Sequence, residues 1–126
     1  MSPQTTPPRP MPRNPEPVKI ILFDLLTALI DSWRVWNETA GSEEAGKKWR
    51  MTYLKLTYGC GAYRPYETLV KEAALEAGFD AGLAKKLEEN WKNLSPWPEA
   101  LPVLRALRRE YRLGVVTNCS DRLGRR

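Results

Sequence analysis

The chain has 126 residues, a formal net charge of +5 and a hydrophobic fraction of 42%, which suit one small domain with a packed core. It contains no His, and this excludes nucleophiles that a His activates. Cys60 and Cys119 form no CxxC pair, so reduced thiols are expected rather than a zinc site. No apolar stretch reaches the roughly 20 residues of a membrane helix. Because basic residues share helices with acidic ones, we expect no nucleic-acid binding. The reduced thiols and the lack of an apolar span lead us to expect a cytoplasmic protein that binds no membrane.

The N-terminal segment is unusually rich in proline. Residues 1–17 hold seven of the eleven prolines, and their only large apolar side chains are Met1 and Met11. This composition predicts a disordered tail, because it offers too little apolar surface to offset the entropy lost on ordering. Prolines around Arg9 and Arg13 also argue against the amphipathic helix of a mitochondrial presequence.

The first apolar run, Lys19–Asp24, reads KIILFD. Four consecutive apolar residues predict a fully buried parallel strand. Asp24 then stands at the carboxyl end of this strand, where open α/β sheets bind their ligands. A poorly solvated carboxylate at that position can serve as a nucleophile. The alternative is that Asp24 only starts a turn or caps a helix.

The middle of the chain has the capping signals of four helices. Asp31 or Ser32 can cap the first helix, and Ser42 can cap the second. Pro65 suits the first turn of the third helix, and Asp80 can cap the fourth. The sequence shows no internal repeats.

A fifth helix, predicted from Pro98 to Glu110, leads directly into a second apolar run, Arg112–Val116. Thr117 and Asn118 follow that run. A helix followed by a parallel strand is one arm of a right-handed crossover. The predicted fold class is therefore α/β: a partial Rossmann-like core (residues 18–31 and 95–126) with an inserted helical cap (residues 32–94).

This order of motifs resembles the haloacid dehalogenase superfamily, and above all its L-2-haloacid dehalogenase-like branch, over residues 18–121. The likeness rests on the run FDLLTAL that contains Asp24, on the Trp49-Arg50 pair, and on Thr117-Asn118. The resemblance implies that Asp24 attacks carbon or phosphorus to give a covalent ester, which water hydrolyses. It implies that Arg50 holds the leaving halide or the substrate carboxylate. Thr117 and Asn118 would bind a substrate oxygen beside the nucleophile.

The residue two positions after the nucleophile separates the branches of this superfamily. Phosphatases carry a second Asp there as a general acid, whereas dehalogenases usually carry an aromatic residue. Leu26 occupies that position here and cannot transfer a proton, so the dehalogenase branch, which needs no metal, is favoured. Thr27-Ala28 stands where Gly-Thr is usual, and Thr27 is expected to supply a displaced hydroxyl. Leu26, Thr27 and Trp49 are the predicted substrate-contacting residues.

The resemblance also implies two motifs that this chain does not contain: a Lys that neutralises the nucleophile, and a pair of acids. Both would follow Thr117-Asn118, whereas the sequence ends at Arg126. We therefore expect a truncated protein with a small-molecule substrate, for example a 2-haloacid, and little activity alone. Two alternatives stay open: a non-catalytic relative or interaction fragment, and a Mg²⁺-dependent phosphatase, against which Leu26 argues. A homodimer also stays open.

Overall fold

A computed structural model describes residue 8 and residues 16–126. The predicted disordered tail, residues 1–17, lies almost entirely outside the described residues, so that prediction stays untested. Within the described part of the chain, no helix is both long enough and apolar enough to cross a bilayer.

The elements follow the α/β order that the sequence predicts. Two strands, β1 and β2, form a parallel sheet in which Ile20 lies opposite Arg112 and Asp24 lies opposite Val116. The elements in chain order are β1 (Ile20–Asp24), α1 (Ser32–Ala40), α2 (Glu43–Gly59), α3 (Tyr66–Glu76), α4 (Gly82–Asn90), a 3₁₀ turn (Trp91–Asn93), α5 (Ala100–Leu107), β2 (Arg112–Val116) and α6 (Asp121–Gly124).

Local capping chemistry sets where the helices begin. Asp31 Oδ1 accepts a hydrogen bond from the backbone N–H of Arg34 at 3.3 Å, and Ser42 caps α2 in the same way. The predicted Asp80 cap is corrected: α4 begins two residues later, and Asp80 Oδ1 instead accepts from Gly82 N at 2.7 Å. The fifth helix is also shorter than predicted, because turns replace its first and last residues.

The core lies among the helices and is largely aromatic. Ring centroids are 4.6 Å apart for Trp36 and Trp49, 5.3 Å apart for Tyr53 and Tyr66, and 5.9 Å apart for Tyr66 and Trp91. Tilted and edge-on pairs at such distances stabilise a core beyond the burial of their area. The helical segment between the strands therefore has its own packed interior.

Helices α1 and α2 approach closely at Gly46. A Cβ atom at this position would lie 2.1 Å from Asn37 Oδ1 and 2.6 Å from Asn37 Cα. The second contact is with backbone, so it cannot be relieved by rotating a side chain. Gly46 is therefore a packing requirement of the pair of helices.

The sheet is much less covered than the sequence predicted. Ile20 and Leu22 on β1 are 53% and 63% exposed, and Val115 and Val116 on β2 are also at least half exposed. The prediction of a fully buried strand is therefore wrong for the described chain. The described elements leave these side chains at least half exposed, although their composition is that of an interior strand.

Candidate active site

A cavity of about 400 Å³ lies between α3, α4 and α6, but the predicted site residues surround a different, smaller one of about 270 Å³. The smaller cavity opens at the carboxyl edge of the sheet, against α1, α2 and α3. Its lining residues are Asp24, Leu26, Trp36, Arg50, Tyr53, Leu54, Tyr58, Tyr66, Thr117 and Asn118. All four predicted catalytic residues thus lie around one space.

The parallel register brings the ends of the two strands together. Because Asp24 lies opposite Val116, the next residue, Thr117, leaves the sheet at the same edge. Thr117 is half-buried, and its Oγ1 accepts a hydrogen bond from Cys119 N at 3.4 Å. Asp24 and Asn118 are exposed. We expected the Asp24 carboxylate to be poorly solvated, and this expectation is wrong for the described chain. The residue is exposed because the described elements leave much of the sheet uncovered.

Arg50 is the cationic residue that lines this cavity. Its Nη1 donates to Ser32 Oγ at 3.0 Å, and its Nη2 donates to Thr27 Oγ1. Its guanidinium carbon lies 4.0 Å from the centroid of the Trp33 ring. Among the described residues, Arg50 forms no ion pair with a carboxylate.

Burial lowers the pKa of Arg50, while the nearby Tyr66, Tyr53 and Asp24 act in the opposite direction. An Arg remains charged at neutral pH in spite of such a shift. Arg50 therefore brings to the cavity a partly desolvated positive charge that neutral hydroxyls orient but do not neutralise. Such a guanidinium suits an incoming carboxylate or halide.

Aromatic side chains form much of the remaining wall. Burial raises the pKa of Tyr53 and of Tyr66, so both phenols are neutral at physiological pH. Trp36 closes one side, and Tyr58, which is 82% exposed, stands at the rim. Aromatic faces beside one cation suit a small ligand that has an apolar body and an anionic group, and Asp24 brings a negative charge to the same wall.

The fold was compared with known proteins. A crystal structure of a dehalogenase shares 24% sequence identity with a TM-score of 0.72 and matches 87% of this chain. An L-2-haloacid dehalogenase (24%, TM-score 0.67, 86% of this chain) and a defluorinating L-2-haloacid dehalogenase (26%, 0.59, 84%) are also similar. The chain shares the fold of these haloacid dehalogenases over most of its length. Family models and curated proteins gave no match.

Most of this chain is matched, but only about half of each haloacid dehalogenase structure is matched. The chain spans 55% of the length of the first two solved structures and 53% of the third. The likeness confirms the predicted α/β fold and the resemblance to haloacid dehalogenases. The division into core and helical cap stays a prediction.

Two predicted substrate-contacting residues do not line the cavity of this dehalogenase-like fold. Trp49 is fully buried, and its Nε1 donates to Val70 O at 3.0 Å. Adjacent helical residues point about 100° apart, so Trp49 enters the core while Arg50 faces the cavity. Thr27 contacts Arg50 instead of the cavity. The predicted role of Trp49 is therefore corrected to a core residue, whereas Leu26 lies at the cavity as expected.

Sequence reasoning did not assign the aromatic wall to the site. Tyr53 and Leu54 lie three and four positions after Arg50 on α2, the spacing at which helical side chains are neighbours. That spacing was the available signal for these two residues. Trp36 and Tyr66 come from other helices, and no local pattern links them to Asp24.

Proposed function

We propose that the chain carries the substrate-binding half of a haloacid dehalogenase-like hydrolase, with Asp24 as nucleophile and Arg50 as the anion-binding residue. One observation carries the proposal: the Asp24 carboxylate and the Arg50 guanidinium line the same small cavity. A cavity of about 270 Å³ lies below the size range of drug-sized ligand sites, which favours a short-chain acid.

In the proposed reaction, an Asp24 carboxylate oxygen attacks the carbon that bears the halogen. The carbon–halogen bond breaks, the halide leaves with the bonding electrons, and an ester to Asp24 forms. Water then attacks the ester carbonyl. This returns the Asp24 carboxylate and releases a 2-hydroxy acid and a proton.

The charges and polar groups around the cavity indicate how the other residues would act on the substrate. The substrate carboxylate and Asp24 repel one another, and Arg50 offsets that repulsion by binding either the carboxylate or the departing halide. Thr117 and Asn118, at the same edge of the sheet, are suited to hold a substrate oxygen. The aromatic wall excludes water from the carbon chain of the substrate. Leu26, which cannot act as an acid, makes phosphate-ester hydrolysis the weaker proposal.

A second candidate is a non-catalytic role as an interaction fragment. The exposed apolar side chains of β1 and β2 favour it, because uncovered strands readily pair with other chains. Under this alternative the cavity would bind no haloacid at all.

Binding of L-2-chloropropionate to the 126-residue chain separates the two. Tryptophan fluorescence can report it, because Trp36 lines the cavity and Trp33 stacks on Arg50. We expect saturable binding that Arg50→Gln abolishes. Asp24→Asn should bind at least as tightly, since it removes the like charge. Absence of binding, or equal binding by Arg50→Gln, would contradict the proposed function.

A further inference from the structure

Thr27 has a backbone conformation that its residue type rarely adopts. Its φ is +77°, and it is the one non-glycine residue with a positive φ in the described part of the chain. For a β-branched residue such a φ is a genuine outlier, and glycine would adopt it without strain. A strained residue of this kind persists when its surroundings hold it and often marks a functional position.

Four hydrogen bonds hold Thr27 in place. Its backbone N–H donates to Ile30 O at 2.8 Å, and its carbonyl accepts from Trp97 Nε1 at 2.7 Å. Its hydroxyl accepts from Arg50 Nη2 and lies 2.9 Å from Ser32 Oγ. The backbone bonds would be equally available to glycine. The contact with Arg50 needs the hydroxyl.

We propose that Thr27 is a positioning residue, whose hydroxyl holds the Arg50 guanidinium in the orientation that faces the cavity. Ser32 holds the second terminal nitrogen, and the guanidinium carbon lies over the Trp33 ring. Two of the five N–H groups of the guanidinium are thereby occupied by neutral acceptors. The rest stay available to an anion, and the charge is retained.

The positioning role predicts a specific effect on Arg50 alone. In protein labelled with ¹⁵N-arginine, a guanidinium with both terminal nitrogens hydrogen-bonded rotates slowly and gives resolved Nη signals. Arg50→Lys assigns these signals by their loss. Thr27→Ser should keep them, whereas Thr27→Val, which keeps the branched shape, should lose them.

Thr27→Val could fail to fold at a positive φ, so Thr27→Gly serves as a second hydroxyl-free variant. Glycine adopts a φ of +77° without strain. We expect this variant to fold and still to lose the slow Arg50 signals. Unchanged Arg50 signals in folded Thr27→Gly would overturn the proposal and reduce Thr27 to a turn residue. This measurement needs no substrate, so it decides the matter even if the proposed function fails.

The link to anion binding rests on the proposed function and has its own measurement. Affinity for L-2-chloropropionate should fall about tenfold in Thr27→Val and in Thr27→Gly, the usual effect of losing one hydrogen bond to a charged group. Thr27→Ser should stay within about twofold of the unsubstituted chain. Full affinity in both hydroxyl-free variants would overturn the proposal, whereas absence of binding in the unsubstituted chain would count against the proposed function alone.

Discussion

The central carbon of the Arg50 guanidinium lies over the Trp33 ring, 4.0 Å from the ring centroid. A cation over an indole face gains about 0.5–2 kcal/mol, more as the pair is desolvated. Trp33→Leu should therefore lower the free energy of unfolding by about that amount and weaken haloacid binding. Urea denaturation and fluorescence titration measure the two effects. Trp33→Phe, which keeps an aromatic face, is the control and should lose less of both.

The Asp24 carboxylate has no lysine among the residues that line its cavity. We expect the 126-residue chain to release halide from L-2-chloropropionate no faster than Asp24→Asn does. Absence of one electrostatic partner typically costs about 3 kcal/mol, a factor of hundreds in rate. Turnover well above the Asp24→Asn control would show that the chain assembles a complete site, for example across a dimer.

Gly46 has no room for a methyl group, because a Cβ would lie 2.6 Å from Asn37 Cα. Gly46→Ala should lower the free energy of unfolding by about 1–3 kcal/mol through overpacking. Gly59→Ala is the matched control on the same helix, since a Cβ there meets nothing within 4 Å. Thermal unfolding should separate the two variants. Equal melting temperatures would contradict the close approach of α1 and α2.

Glu67 links α3 to the C-terminal turn of the chain. Its burial alone would raise its pKa, but hydrogen bonds from Ser120 and Arg122 outweigh this and hold the pKa below its ordinary value of 4.5. A lowered folded-state pKa gives stability that is present above pH 4.5 and lost as the pH falls through the lowered pKa. Urea unfolding across this range should show a steeper loss than in Glu67→Gln, in which residue 67 no longer titrates.

Apolar side chains on the sheet face solvent, with Leu22 63% and Val116 59% exposed. We expect the chain to self-associate at high concentration through this surface. Leu22→Lys and Val116→Lys should reduce that association, measured by sedimentation, with little change in thermal stability. If either variant unfolds at a much lower temperature, the side chain is buried in solution and the sheet is covered.

Sequence patterns predicted those features that depend on neighbouring residues alone. The apolar runs that end in Asp24 and in Thr117 predicted two parallel strands, and the register of those strands brings both ends to one edge. Capping residues predicted two helix starts, Asp31 or Ser32 for the first and Ser42 for the second, because an N-cap depends only on residues within one turn. The structure selects Asp31 for the first helix. The order of these motifs also sufficed to predict the resemblance to haloacid dehalogenases, which the solved structures confirm.

Other properties were decided only by the tertiary structure. The resemblance assigned Trp49 to the substrate, but the way α2 packs against α1 and α3 places this side chain in the core. The sequence predicted a buried strand because composition reflects the environment that a segment prefers. The exposure of a strand, however, depends on which other elements pack over it. The contact between Thr27 and Arg50 joins residues 23 positions apart. It exists because the turn after β1 holds Thr27 at a positive φ while α2 brings Arg50 to meet its hydroxyl, and neither condition is visible in a linear pattern.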